Sequence, residues 1–128
     1  MAKKLPGNIG AKNRIFQKYK KRAERSSIVF KLSKKFFIEL TQNNCYYCGV
    51  APSNILQHRD YYTSVDGKKK TYQYGKPFQY NGLDRKNNNE GYTKENCVAC
   101  CAICNRAKYR LTIQEFKNWI KQLKDYNE

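Results

Sequence analysis

No stretch of this chain approaches the roughly 18 consecutive apolar residues that a membrane-spanning helix needs. The first residues carry Lys and Gly where a secretory signal would place its apolar region. These two absences predict a protein with no membrane partner that stays in the compartment where it is made. Acidic side chains are scarce: 10 Asp and Glu stand against 26 Lys and Arg, for a formal charge of +16 and a pI near 9.7. That balance is far from an ordinary soluble enzyme and suits a polyanionic partner, nucleic acid first. Histidine occurs once, at His58. There is no internal repeat, and biased runs are as short as Lys68 to Lys70 and Asn87 to Asn89.

What the chain does have is length for one domain, 128 residues, and six cysteines. Without a secretion signal, cysteines paired at a spacing of two read as reduced thiolates on metal rather than disulfides, which fits a cytosolic or nuclear setting. Residues 1–10 contain Pro6, Gly7 and Gly10 and read as a leader. From Ala11 to about Arg25 the pattern is helical, with Ile15, Phe16 and Tyr19 on one face and Lys18, Lys20, Lys21 and Arg22 around the rest. Nine basic residues against Glu24 give residues 1–25 a net +8, so residues 1–32 are expected to form a basic, partly helical arm and 33–128 the main domain. The plainer alternative for those cations is a solvated helix face.

Ser33 is placed to cap a helix carrying Phe36, Phe37 and Leu40. The helix delivers the chain to Cys45-Tyr46-Tyr47-Cys48-Gly49, where Gly49 permits the turn of a zinc knuckle. Asp66-Gly67, between Tyr61–Val65 and Lys68–Tyr74, predicts an inserted β-hairpin. Short strands are expected over about 78–85 and 97–100, and a helix from Ala102. A last helix is marked by a capping box of Thr112 and Glu115, with Phe116, Trp119, Ile120 and Leu123 expected as a core stripe.

Cys45-Cys48 and a second pair match a tetrahedral four-cysteine zinc site. The register of the second pair is ambiguous, because Cys97-Cys100 and Cys101-Cys104 share the spacing. Cys101 and Cys104 are preferred, since they fall at the strand-to-helix turn while Cys97 and Cys100 occupy ordinary apolar strand positions. A redox dithiol is the alternative, but no thioredoxin-like order of strand and helix surrounds either pair.

Tyr80-Asn81-Gly82-Leu83-Asp84-Arg85, then Asn89, Gly91-Tyr92, Glu95-Asn96 and Cys100-Cys101-x-x-Cys104-Asn105-Arg106-x-Lys108 resemble the HNH, or ββα-metal, nucleases, in particular the small phage-type HNH endonucleases. The resemblance implies an α+β fold: a ββα-metal core stapled by the four-cysteine zinc site, with flanking helices and the inserted hairpin. It implies a metal-dependent DNA endonuclease, with Asp84 and Asn105 as ligands of a catalytic Mg or Mn ion and Asn96 bracing the loop between the strands. Most of the family has a general-base His where this chain has Arg85, and a guanidinium cannot act as a base at neutral pH. Arg85 is instead suited to clamping the scissile phosphate. Tyr80, four residues before Asp84 and so on the same face of a regular strand, and His58 are the two substitutes that remain. Either also has a bland role, in the core or in solvent.

The arm cations Lys18, Lys20, Lys21 and Arg22, with Arg59, Lys68, Lys69 and Lys70 of the hairpin, are expected to contact phosphates. A phage or viral protein in the host cytoplasm is the expected setting. The rival reading is a catalytically inactive, zinc-stabilised nucleic-acid-binding module or nucleoprotein subunit.

Overall fold

A computed structural model of the chain describes residues 7–56, 59–63, 65–73 and 77–128, with 59–63 and 69–73 described in backbone only. Its centre is a two-stranded antiparallel ribbon followed by a helix. Strand β5, Gly82–Arg85, pairs with β6, Cys97–Cys100, in the register Gly82 to Cys100 through Arg85 to Cys97. Helix α3, Ala102–Lys108, follows after one residue.

Around this unit lie α1, Ile9–Arg25, α2, Lys34–Thr41, and α4, Ile113–Asn127. Two more ribbons precede β5. Strand β1, Asn54–Leu56, pairs with β4, Phe78–Tyr80, and between them β2, Arg59–Thr63, pairs with β3, Lys69–Gln73. The β2–β3 ribbon is the hairpin expected from Asp66-Gly67, and Gly67 takes the positive φ of 80° that such a turn requires. No helix among the described residues is long and apolar enough to cross a membrane.

Local signals set the helix starts. The Ser33 hydroxyl accepts from the Phe36 backbone N–H, and Thr112 and Glu115 form a reciprocal capping box. Helix α1, set apart in the sequence as an arm, packs Ala11, Ile15, Phe16, Tyr19 and Ala23 into the same core as Phe37, Phe78, Leu83 and Tyr92. An amphipathic helix with aromatic residues on its apolar side has more to gain from that burial than from solvation. The Tyr19 hydroxyl, buried, accepts from the Leu83 backbone N–H at 3.1 Å. Burial pushes its pKa up to about 12, so it stays a neutral phenol. A Cβ on Gly82 would lie 2.6 Å from that hydroxyl, so the glycine is what lets α1 approach β5. Gly91 does the same for the 29–31 segment, whose Val29 carbonyl would lie 2.5 Å from an added Cβ.

Two expectations are corrected. The strand read over 78–85 is two strands with different partners, broken at Asn81. There the Asn81 backbone N–H donates to the Thr41 carbonyl at 2.9 Å, and its buried amide donates to the carbonyls of Asn43 and Val50. Tyr80 and Asp84 are therefore not carried on one regular strand. In α4, Phe116 is buried against Tyr47, whereas Trp119, Ile120 and Leu123 are 42 %, 40 % and 44 % exposed. The apolar stripe is real, but past its first turn it is only partly covered. Phe116→Ala is expected to lower the unfolding free energy by about 3–5 kcal/mol. Leu123→Ala, on the same stripe, is expected to change it by under about 1 kcal/mol in chemical denaturation.

Candidate active site and metal centre

The knuckle and the start of α3 meet. Cys45, Cys48, Cys101 and Cys104 place their sulfurs all within 4.8 Å of one another, and Cys48 Sγ lies 3.7 Å from Cys101 Sγ. Zinc–thiolate bonds of about 2.3 Å in a tetrahedron put the sulfurs about 3.8 Å apart, so the cluster fits a metal such as zinc. Gly49, at φ 78°, and the Gly49 N–H donating to the Cys45 carbonyl at 2.9 Å close the knuckle turn. Burial pushes the Cys45 thiol up, but backbone donors at Cys101, Cys48 and Tyr47 outweigh it and bring its pKa to about 6, toward the thiolate that a metal takes.

Cys97 and Cys100 lie outside the cluster and are buried in β6. Burial pushes the Cys97 thiol up to about 11 and that of Cys100 up as well, as expected of inert apolar positions.

Asp84 is 7 % exposed, and its carboxylate has two partners. The Tyr47 hydroxyl donates to Oδ2 at 2.6 Å, and the Lys108 ammonium lies 3.2 Å from Oδ2 and 3.3 Å from Oδ1. Lys108 is fully buried and also donates to the Arg85 carbonyl at 3.4 Å. Burial and the bond donated to Asp84 push the Tyr47 phenol up. A knuckle residue and the last residue of α3 thus hold the acid of β5. The sequence motif ran to Lys108, but nothing local to Lys108 marks it as the partner of a residue 24 positions away.

Asn105, in the first turns of α3, points its amide nitrogen at the Leu83 carbonyl, 3.5 Å away. It lines a cleft of about 530 Å3 between α1 and α3 that Tyr80 and Gly82 also line and Asp84 does not. A carboxylate and an amide oxygen are the donor types a hard divalent ion takes, so the two residues suit one by chemistry. As folded, Asp84 already has its charge met by Lys108.

Arg85 turns the other way. Its Nη1 donates to the carbonyls of Asn88 and Glu90 at 3.0 and 2.9 Å, and its guanidinium lies 5.4 Å from the Tyr92 ring centre. Asn96, buried, accepts from the Asn87 N–H at 2.9 Å and donates to the Asn87 and Gly91 carbonyls at 3.0 and 2.9 Å. Both residues brace the β5–β6 loop. Tyr80 is half-buried and stacked on Phe78 at 5.7 Å, and burial pushes its phenol up, away from the phenolate a nucleophile would need. His58 lies outside the described residues, as do the side chains of Arg59, Lys69 and Lys70. Lys18, Lys20, Lys21 and Arg22 are exposed on α1, and Lys68 is exposed at the hairpin turn.

No family model matches the chain. An uncharacterised protein of Acanthamoeba polyphaga mimivirus, R423, is 32 % identical over 101 residues, 79 % of this chain. The chain spans 14 % of that relative's length. A solved structure of the rare-cutting HNH restriction endonuclease PacI aligns with a TM-score of 0.58 and 21 % identity, covering 90 % of this chain and 78 % of the other. The chain has the HNH-type endonuclease fold.

Structural zinc sites contribute about 10–16 kcal/mol of apparent free energy, so folding of the ribbon and α3 is expected to depend on the cluster. A strong chelator should lower the far-UV helical signal and make all four cluster thiols alkylable. An unchanged spectrum would contradict this.

Proposed function

We propose that the protein is a metal-dependent DNA endonuclease that hydrolyses phosphodiester bonds, with zinc in the four-cysteine cluster as a structural ion. The observation that carries the reading is the HNH-type fold, joined to a buried carboxylate on β5 and an amide on α3 that lines a cleft with cations and tyrosines. The charge of +16 supports a nucleic-acid substrate. Asp84 and Asn105 would hold a divalent ion such as Mg or Mn, which would supply charge stabilisation for the phosphate oxygens and the leaving oxygen.

The chain's own residues do the rest. Lys108 and Tyr47 orient the Asp84 carboxylate. Arg85 and Asn96 keep the loop after β5 rigid, so Arg85 acts through the loop rather than as the base it has replaced. Water is the nucleophile: its oxygen bonds to phosphorus while one ester oxygen departs. The proton acceptor is His58, the one side chain of this sequence whose ordinary pKa lies near neutrality. Tyr80, held neutral by burial, lines the cleft beside the phosphate instead.

A specific observation favours the rival, a nucleic-acid-binding module that does not cut: Arg85 stands where a base is usual, and Asp84 is already neutralised by Lys108. Nicking of supercoiled plasmid separates the two. Any neutral residue at Asp84 leaves the buried Lys108 ammonium without its counter-charge, at a cost of about 3–5 kcal/mol where nothing replaces the carboxylate; asparagine keeps an oxygen for Lys108 to donate to, so Asp84→Asn and Asn105→Ala are the better variants. Both are expected to abolish nicking in Mg or Mn while DNA binding survives. His58→Ala is expected to slow cutting by about 10²–10⁴-fold, with Tyr80→Phe close to the parent. Binding with no cutting by the parent, in any divalent ion, would give the case to the rival.

A further inference from the structure

We propose that the cleft between α1 and α3 is a phosphodiester-backbone groove in which Lys18 and Arg22 of α1 face Arg106 of α3 across Asn105. The proposal deepens the nuclease reading and rests on it only for placing the cut bond near Asn105; binding of the backbone stands separately.

The cleft measures about 530 Å3, within the range of ligand sites, and three of its lining side chains are cations. None of its lining residues is acidic. Two other clefts on the molecule each contain a carboxylate, Glu115 in one and Asp125 in the other. Unopposed cations in a concave, partly apolar setting keep more of their attraction for an anion than cations spread on an open surface. Lys18, Arg22 and Arg106 are all exposed and have no carboxylate partner among the described residues, so their charge is free for a ligand.

The walls are rigid on both sides. On one, the Tyr19 hydroxyl on the Leu83 N–H, with Gly82 beneath it, fixes α1 against β5. Lys18 and Arg22 lie four residues apart, one turn and about 6 Å along the axis, a rise that suits neighbouring phosphates of one strand. On the other, α3 is anchored at its first turn by Cys101 and Cys104, and Arg106 follows the cluster by two residues. Tyr109, ending α3 at a positive φ of 48° that a non-glycine residue rarely adopts, brings its 72 % exposed ring to the same cleft. Arg110 sits over that ring at 5.2 Å. A cationic channel with an exposed aromatic ring at its edge matches a sugar-phosphate chain with a base or sugar against the ring. Helix α1 is in this account the second jaw of the site.

The test reads binding without cutting. Fluorescence anisotropy of a labelled DNA duplex, with no divalent ion present and over a series of KCl concentrations, gives the slope of log affinity against log salt. The parent is compared with a groove variant, Lys18→Ala/Arg22→Ala/Arg106→Ala, and with a control carrying the same charge change on α4, Lys117→Ala/Lys121→Ala/Lys124→Ala. The groove variant is expected to lose affinity at least tenfold and to flatten the slope by about 2 to 3, and Arg106→Gln alone by about 1. The control is expected to keep the parent's slope. Equal losses in groove and control variants, or an unchanged slope in the groove variant, would overturn the proposal. A parent that binds as expected but never nicks plasmid with Mg or Mn would remove the nuclease reading and leave the groove standing.

Discussion

Four sulfurs drawn within 4.8 Å of one another are the constraint from which the site hangs. They join residues more than 50 positions apart in the chain, a knuckle of four residues and the first turn of a helix of seven. A helix that short does not persist alone, and four thiolates this close together need a cation to compensate their charge. The cluster therefore sets the angle at which α3 leaves β6. Asn105, Arg106, Lys108 and Tyr109 all follow within five residues of Cys104.

The second constraint comes from the opposite side. The knuckle lends Tyr47 to Asp84, α3 lends Lys108, and the buried ion pair between them locks the ribbon to the helix. Breaking a pair of that kind by removing one partner is costly, because the charge left behind is buried. Helix α1 then closes over Leu83 and Gly82 through Tyr19. The outcome is an acid held on one side of the ribbon and an amide at the edge of a cationic cleft, both referred to the same sulfur cluster.

Much of this was legible in the residues, and what was legible is what is local. The Ser33 and Thr112 caps, the Gly49 turn, the Asp66-Gly67 hairpin and the choice of Cys101 over Cys97 depend on neighbours a few positions away, and side-chain chemistry decides them directly. The motif from Tyr80 to Lys108 carried the fold, because few frameworks need those residues at those spacings.

What was not legible is set by distant partners. The break at Asn81 arises because β4 pairs with β1 and β5 with β6, and the alternation of side chains along 78–85 cannot announce a change of partner. The stripe on α4 has helical period, yet periodicity names a face without saying what covers it; only Phe116 finds Tyr47. The shared face of Ile15, Phe16 and Tyr19 on α1 is legible in the spacing, but the Phe37 and Leu83 that cover it are set by the fold. Lys108 reads as one more surface cation until the fold brings it to Asp84. The most direct test of the account is X-ray absorption at the zinc edge of the purified protein. Stoichiometric zinc with four sulfur neighbours at about 2.3 Å is the predicted result; a nitrogen or oxygen ligand in that shell, or a folded protein without the metal, would contradict it.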